Sequence, residues 1–322
     1  MRTRPPLPPL SPGSVSLRLY PHNDLPADAI VAELCAQGRA AAEVGFDGVM
    51  TSEHHNGFAG YLPNPVQAAG WLLEAAASGW AAACPLLLPL RPPAVVAEEV
   101  AWLAARFPGR VGLGVAAGSL QADFDIMGST KDDLTRRFAD GLVMVANMLS
   151  GRDAGRLAGD RAVHRCVEHP IPMVSAAMSL AAVRRAAPLG IGILFDSLSS
   201  VERCRQLADA FRDAGGTGPV VMVRRAWMGE PPREREKAQL DVYRSYAAPA
   251  AQAHWSEDQL VSGDDPATVA GRVADIVARA GADAVSLRVH VPGVSPGEVR
   301  NQIALLEPVV DQVHALLGTG GR

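Results

Sequence analysis

The sequence predicts an α/β protein built as a single (β/α)8 barrel. The chain has 322 residues, 48% of them hydrophobic and 20% charged, which is an ordinary globular composition that can form a large core. From Val15 onward, apolar runs of strand character alternate with amphipathic, helix-like segments about eight times. Such alternation implies right-handed crossovers and a parallel sheet, and eight repeats favour closure into a barrel. An open doubly wound sheet is the alternative, although no predicted strand runs into a GxGxxG turn or a Walker-type loop.

Each predicted strand is a short apolar run that ends at polar, small or turn-forming residues. Gly45, for example, precedes an apolar run that is typical of a buried strand. In chain order, the predicted strands are residues 15–20, 47–51, 80–88, 111–115, 172–176, 191–195, 220–224 and 284–289.

The segments between these strands carry apolar residues at helical spacing and the end signals of helices. Gly45 follows the first of them at the position where a C-terminal glycine is favoured. Asn64 can cap the second helix, with Pro65 at its first position. The predicted helices are residues 27–43, 64–77, 93–106, 131–149, 179–187, 200–214, 233–246, 266–280 and 296–317.

The barrel is predicted to form one domain over residues 15–317. Residues 1–14 are rich in Pro and Arg and lack the apolar centre of a secretory signal, so we interpret them as a flexible lead-in. Residues 151–170 are polar and irregular, and residues 249–262 are interpreted as an excursion from the barrel.

Charge and cysteine content argue against several classes of function. The formal net charge is −4 and no basic block occurs, so a nucleic-acid partner is not expected. The apolar stretch 80–90 contains two prolines and is too short to span a bilayer, so no membrane association is expected. The four cysteines are scattered without a CxxC pair, which disfavours cysteine-based metal sites and indicates a reducing, cytoplasmic setting.

The stretch Glu53-His54-His55 directly follows the predicted strand 47–51, at the end of the strand where a barrel carries its chemistry. Imidazole titrates near neutral pH, so His54 is a candidate general base, with a structural histidine as the alternative. Glu53 is a second candidate catalytic residue, which can orient the imidazole or pair with a cation. His55 fits a structural role as well as a functional one.

A metal site on the same histidines is a weaker alternative, and no metal ligand is predicted. Adjacent residues of an extended segment point to opposite faces, so His54 and His55 cannot easily share one ion. The zinc-binding pattern HExxH does not include them, although His22 and His290 lie at other predicted strand ends and could complete a cluster.

Several short motifs follow Glu53-His54-His55 in a characteristic order. They are Asn64-Pro65, the stretch 88–93, Glu98, the stretch 109–114, Asp123-Phe124 and Gly128. Each is weak alone, but together, over roughly residues 15–313, they resemble the bacterial luciferase-like superfamily of flavin-dependent barrel enzymes. The resemblance implies an eight-stranded barrel, often a homodimer, that acts on a small molecule with reduced FMN and oxygen or with the deazaflavin coenzyme.

The same resemblance implies roles for particular residues. It assigns the catalytic histidine to His54, the second position of the EHH motif. It also implies a cis peptide beneath the flavin ring at Cys84-Pro85. A proline inside a predicted strand independently favours a bulge or a cis bond, with a trans proline at a strand edge as the alternative.

The loop Met178-Ser179-Leu180 joins the fifth predicted strand to the next helix, and the resemblance implies that the flavin phosphate binds there, at Ser179. Ser179 can cap that helix, and free N–H groups at a helix start bind anions without a charged side chain. An ordinary serine cap is the alternative.

The turn after the fourth strand departs from the bacterial luciferases, which carry a phosphate-binding arginine there. The matching position is Ala117, which lies beside Ala116 in the expected cofactor site, so a contact worth about 1.5–3 kcal/mol is missing. Arg224 and Arg225, at the end of the seventh strand, can compensate or can be solvated charges. The Ala-Ala-Gly turn also resembles many deazaflavin-dependent members.

We therefore expect a monooxygenase that uses reduced FMN and oxygen on a small organic substrate. A separate flavin reductase would supply the reduced FMN, since no nicotinamide-binding fingerprint occurs. A deazaflavin-dependent oxidoreductase that transfers hydride is the alternative within the fold. A non-catalytic flavin-binding barrel is the alternative of another class.

Overall fold

The strands of the sheet run parallel and close into a barrel. The computed structural model describes residues 4–247, 249–256 and 259–319, and it contains nine strands in these ranges. The strands are β1 (Val15–Arg18), β2 (Gly48–Thr51), β3 (Trp80–Leu87), β4 (Val111–Ala116), β5 (Met173–Ala176), β6 (Gly192–Phe195), β7 (Val220–Met228), β8 (Leu260–Gly263) and β9 (Ala284–Arg288).

Eight of these strands form the ring. Their order is β6-β5-β4-β3-β2-β1-β9-β7, and the pairing of β6 with β7 closes it. The strand β8 pairs only with β7, outside the ring. The predicted (β/α)8 barrel is therefore confirmed.

Helices lie between the strands and cover the outside of the barrel. None of the helices in the described ranges has both the length and the apolar character needed to cross a membrane. They are α1 (Ala27–Glu43), α2 (Pro65–Ala75), α3 (Pro93–Arg106), α4 (Gln121–Ile126), α5 (Leu134–Leu149), α6 (Arg161–Arg165), α7 (Leu180–Ala186), α8 (Val201–Asp213), α9 (Arg233–Tyr246), α10 (Pro249–Gln252), α11 (Pro266–Arg279), α12 (Pro296–Leu305) and α13 (Glu307–Thr319).

Local sequence sets several helix ends. The side chain of Asn64 accepts a hydrogen bond from the N–H of Gln67 at 3.0 Å, as a cap should. The short helices α4 and α6 lie where no helix is predicted, and Asp160 caps α6 through the N–H groups of its first turn. The predicted helix 296–317 is two helices, α12 and α13.

The seventh strand is longer than predicted because it has a second partner. Only residues 220–224 are predicted as strand, but β7 continues to Met228. Its second half, from Arg225, pairs in parallel with β8. The predicted excursion over residues 249–262 therefore contains α10 and most of this additional strand.

The amino-terminal end of the barrel is closed by residues 4–14. Leu10 is fully buried and belongs to a cluster with Trp80 in the barrel interior. The N–H of Leu7 donates to Asp47 at 2.9 Å, and the N–H of Gly13 donates to the carbonyl of Asp283 at 2.7 Å. Described residues of the predicted flexible lead-in are thus packed against the barrel, which corrects that prediction for residues 4–14. The opposite end, at the carboxyl ends of the strands, is left open for a site.

Candidate active site

A cavity of about 680 Å³ opens at the carboxyl ends of the barrel strands. Its wall includes Pro85 from β3, Leu194 from β6, Val223 from β7 and Arg288 from β9. Tyr246 at the end of α9, with His254 and Trp255 farther on, also lines it. The volume lies within the range of about 300–1,000 Å³ that is typical of cofactor and substrate pockets.

Three of the predicted cofactor-binding residues, Pro85, Met178 and Ser179, line this cavity. The Cys84–Pro85 peptide bond is cis, as predicted. Cys84 itself is fully buried in the barrel interior, and burial raises the pKa of its thiol to about 12. Cys84 is not among the residues that line the cavity, and its thiol stays protonated at neutral pH.

The remaining predicted cofactor-binding residues lie beside the cavity. Ala116 is the last residue of β4, and Ala117 packs against the core. In the turn that follows β4, Ser119 lines the cavity. Leu180 begins α7 and also packs against the core. Ser179 caps α7, because its Oγ accepts the N–H of Ala182 at 3.2 Å.

His54 forms a pair with Asp123, which comes from α4. The distance between His54 Nδ1 and Asp123 Oδ2 is 2.7 Å, and the N–H of His55 donates to Asp123 Oδ1 at 2.9 Å. Burial alone would raise the pKa of Asp123, but the hydrogen bonds from His54 and His55 outweigh it and lower the pKa. An ionised carboxylate only accepts hydrogen bonds, so Nδ1 of His54 donates to it. Nε2 of a neutral His54 is then left as the proton acceptor, which is the arrangement of a general base with its orienting group.

The His54 imidazole stands next to the cavity wall. Its ring meets Tyr61 edge-on, with 4.5 Å between ring centroids, and Phe58 lies at 4.7 Å. Tyr61 lines the cavity, whereas His54 lies behind it with 12% of its side chain exposed. Proton exchange between His54 and a molecule in the cavity therefore depends on how Tyr61 is placed.

Glu53 has a structural environment. It is 1% exposed and accepts hydrogen bonds from the N–H of Leu87 at 2.7 Å and from Arg91 Nη2 at 3.0 Å. Its other neighbour is His55, whose Nε2 lies 3.0 Å from Glu53 Oε1. Of the two roles considered for Glu53, the structure shows the ion pair with a cation, Arg91, whereas the imidazole of His54 is oriented by Asp123.

Arg224 and Arg225 are not placed for the phosphate. Arg224 is 1% exposed and donates to the carbonyls of Ser197 and Ser199 at 3.0 and 2.8 Å. Arg225 is 2% exposed and pairs with Glu236 at 3.2 Å. Both guanidinium groups bind protein groups in the interior, so they are neither phosphate ligands nor solvated charges.

Arg203, which the sequence does not single out, lies beside the loop where the flavin phosphate is expected. Arg224 and Arg225 were the arginines expected to bind it. Arg203 extends from α8 and lines the cavity together with Met178 and Ser179. Its Nη2 lies 3.5 Å from the carbonyl oxygen of Met178, and its Nη1 donates to Gln206 Oε1 at 2.5 Å. Arg203 therefore places a cation in the cavity wall next to the loop that contains Ser179.

Four further residues in the cavity wall are absent from the sequence-based site: Arg18, Tyr20, Tyr243 and Arg288. A signal for the two arginines is present in the sequence. The triplet Ser-Leu-Arg ends both β1 and β9, and it places an arginine in an otherwise apolar run each time.

The histidines considered for a metal site do not converge. His54 and His55 bind different carboxylates, and His22 meets His290 edge-on at 4.8 Å. Burial lowers the pKa of both His22 and His290, and keeps them neutral. Across the described ranges, no group of three or more His, Cys, Asp or Glu residues is arranged to hold a metal ion.

A model of the luciferase-like monooxygenase family matches residues 16–310 of the chain. The chain belongs to this family. The match extends from β1 into α13. The alpha chain of alkanal monooxygenase from Photorhabdus laumondii is 33% identical over 100 residues, which are 31% of this chain and 28% of that relative. The aligned part thus covers less than a third of either protein.

Solved structures share the fold over almost the whole chain. The monooxygenase RslO1 from Streptomyces bottropensis is 21% identical to this chain, with a TM-score of 0.74. The superposition covers 91% of this chain and 97% of RslO1. The oxygenating constituent of 3,6-diketocamphane monooxygenase from Pseudomonas putida, in complex with FMN, is 15% identical, with a TM-score of 0.75 over 94% and 98%. An F420-dependent secondary alcohol dehydrogenase is also 15% identical, with a TM-score of 0.68 over 93% and 98%.

Proposed function

We propose that this luciferase-like protein is a monooxygenase that binds reduced FMN in the cavity and oxygenates a small organic substrate with O2. The observation that carries the proposal is the polar corner of the cavity, where Ser179 and Arg203 meet. We further propose that a separate reductase delivers the reduced FMN to a homodimer, as the resemblance implies.

The corner fits a phosphate. FMN differs from riboflavin by this doubly charged group, and the turn after β4 carries Ala117 at the position where the bacterial luciferases carry an arginine. Arg203 supplies a cation from the neighbouring element α8, and it lines the cavity together with Ser179. Ser179, next to the carbonyl that Arg203 touches, lies at the start of α7 in the same corner.

The protein groups around the cavity suit proton transfer in a dry site. The bound flavin would supply the redox chemistry with oxygen. His54 holds its Nδ1 proton on Asp123 and can accept a proton at Nε2. Tyr246 and Trp255 line the cavity from outside the barrel strands and reduce the access of water.

Titration of the purified protein with FMN, reduced FMN and the deazaflavin coenzyme tests the proposal. We expect reduced FMN to bind at least about tenfold more tightly than the deazaflavin, because only FMN ends at its phosphate. Flavin fluorescence and anaerobic absorbance measure the two affinities. Tighter binding of the deazaflavin, or no binding of either flavin, contradicts the proposal.

A deazaflavin-dependent hydride transfer is the second candidate function. The arginine-free turn at Ala116 and Ala117 favours it, and a structural neighbour of 15% identity is F420-dependent. Oxygen uptake separates the two reactions, because reduced FMN is oxidised quickly by oxygen, whereas the reduced deazaflavin is nearly inert to it.

Replacement of Arg203 by alanine is expected to weaken FMN binding by about 10- to 100-fold, which is the value of one charge-assisted contact. Riboflavin has no phosphate, so its affinity should stay within about twofold of the wild type. Arg184→Ala, at an exposed position on α7, is the matched control and should change neither affinity. Equal losses for FMN and riboflavin would show that Arg203 acts on the fold of the site and not on the phosphate.

A further inference from the structure

Two buried arginines on one side of the cavity have no carboxylate partner. Arg18 is 7% exposed and Arg288 is 3% exposed, and both line the cavity. In the ranges that the structure describes, neither forms an ion pair with an acidic residue. Arg225 on the neighbouring strand, by contrast, pairs with Glu236.

The register of the sheet places these two cations side by side. In the parallel pair of β1 and β9, Ser16 lies opposite Ser286 and Leu17 opposite Leu287. The next residues along the two strands are Arg18 and Arg288. Like charges at adjacent positions repel, and burial in a medium of low dielectric constant increases the cost. The protein therefore maintains two neighbouring positive charges at the carboxyl ends of β1 and β9.

The partners that the two guanidinium groups do have are uncharged: hydroxyl and carbonyl oxygens, and the ring of Tyr20, whose centroid lies 4.1 Å from Arg288 Cζ. Arg18 Nε donates to the hydroxyl of Tyr20 at 2.8 Å, and its buried Nη1 has no hydrogen-bond partner among the residues that the structure describes. Arg288 donates to the hydroxyl of Tyr243 and to the carbonyl of His290, both at 3.2 Å. Burial alone would raise the pKa of Tyr20, but Arg18 and Arg288 outweigh it and lower the pKa. Both arginines thus impose a positive potential on the phenol groups around them.

This pair lies across the cavity from the phosphate corner. In the ring order β6-β5-β4-β3-β2-β1-β9-β7, the strand β1 stands four positions from β5, which is diametrically opposite in an eight-stranded barrel. Ser179 follows β5, whereas Arg18 and Arg288 end β1 and β9. An FMN phosphate held at Arg203 is therefore too far away to neutralise them.

The carboxylate of Asp196, which also lines the cavity, accepts hydrogen bonds from backbone N–H groups and forms no ion pair with Arg18 or Arg288 in the described ranges. Asp196 follows β6, on the side of the phosphate corner, and its Oδ1 accepts the N–H groups of Leu198 and Ser199, each at 2.9 Å. The wall around the arginine pair is aromatic, with Tyr20, Tyr61 and Tyr243. This end of the cavity therefore combines two positive charges with flat, partly apolar tyrosine side chains.

We propose that Arg18 and Arg288 bind an oxyanion of the substrate, so that the enzyme acts on planar organic acids, with an aromatic carboxylate as the simplest case. Two guanidinium groups match the two oxygens of a carboxylate, and a buried ion of this kind is recognised far better than its neutral analogue. The proposal rests on the proposed function, since it assigns the flavin to the opposite end of the cavity.

Calorimetry with 2-naphthoate and 2-naphthamide tests the charge preference without turnover. Wild-type protein is expected to bind the carboxylate at least about tenfold more tightly than the amide of the same shape. In Arg18→Met this preference should fall to about twofold or less, while the affinity for the amide is unchanged. Arg18→Lys, which keeps the charge, should retain part of the preference, and the exposed control Arg184→Met should retain all of it.

The thermal stability of the ligand-free variants gives an independent readout. Arg18→Met removes a buried cation without a carboxylate partner, so its melting temperature should equal or exceed that of the wild type. A residue kept for structure would destabilise the protein when replaced. Equal binding of the two probes by wild-type protein, or an undiminished preference in Arg18→Met, would overturn the proposal, and the first result requires no variant to fold.

The other anion that Arg18 and Arg288 could bind is the ring of the reduced flavin, and a competition experiment distinguishes it from the substrate. If the pair binds the substrate, 2-naphthoate should bind FMN-loaded and FMN-free protein with similar affinity. Competition between 2-naphthoate and FMN would instead assign the pair to the flavin and refute the proposal. Failure of FMN to bind at all would contradict the proposed function and leave the preference for the carboxylate over the amide as a separate result.

Discussion

Asp123→Asn is expected to lower the rate of product formation by about 100- to 10,000-fold, which is the usual contribution of an acid–base group. The asparagine amide can still accept the N–H of His55 through its oxygen, but its NH2 group then faces His54 Nδ1. That nitrogen would have to accept a hydrogen bond, so the proton would move to Nε2. The base would be lost while the geometry of the loop is kept. His54→Ala should have an effect of the same size, since the two residues act as one unit.

Product formation on an accepted organic acid measures the loss, and nitrogen NMR of the labelled imidazole reports the change of tautomer directly. Asp125→Asn, at an exposed position on the same helix α4, is the matched control and should leave both unchanged. The affinity for FMN should be unaffected in all three variants, because neither His54 nor Asp123 lies in the cavity wall. A normal rate in Asp123→Asn would show that the pair is structural.

The fold was predictable because a barrel repeats one local pattern. Each strand of the ring, buried on both faces, appears in the sequence as a continuous apolar run, and each crossover helix has its own end signals. The second half of β7 was missed for a physical reason. Its strand conformation depends on pairing with β8, which is distant in sequence, and such pairing is not encoded in the run of residues itself.

The site was predictable only in part. The EHH motif lies at the carboxyl end of β2, as expected, but its partner Asp123 is 69 positions away on a helix that the sequence does not predict. Polar residues at strand ends were favoured as candidates, so Arg203 in the first turn of a helix was overlooked. Arg18 and Arg288 lie within predicted strands, and their significance depends on a register that only the folded sheet provides.

The largest effect on stability is expected at the other end of the barrel, where Asp47 holds three parts of the chain together. Its carboxylate is fully buried and accepts the N–H of Val15 at 2.8 Å, the N–H of Leu7 at 2.9 Å and His314 Nε2 at 2.7 Å. Arg4 adds a fourth contact at 3.0 Å. Strand β1, the segment 4–14 and the last helix α13 thus depend on one side chain.

Asp47→Ala is expected to reduce the free energy of unfolding by about 3–5 kcal/mol, because buried donors lose their acceptor and a buried ion pair is broken from one side. Urea denaturation at constant pH measures the change. Asp311→Ala, at an exposed position on the same helix as His314, is the matched control and should stay within about 0.5 kcal/mol of the wild type. A loss of similar size in both variants would show that the destabilisation does not come from the buried contacts of Asp47.

The contribution of Asp47 to the free energy of unfolding should also depend on pH, and it should decrease as the pH falls. Burial alone would raise its pKa, but the hydrogen bond and charge of His314 and the two backbone N–H groups outweigh it and lower the pKa. A carboxyl whose pKa is lower in the folded protein stabilises the fold fully above its unfolded pKa, and this stabilisation is lost as the pH falls through the folded pKa. The difference in stability between the wild type and Asp47→Asn should therefore be largest near neutral pH and shrink towards acid. A difference that stays constant down to the acid transition would mean that the charge of Asp47 contributes nothing and that the hydrogen bonds alone join the three segments.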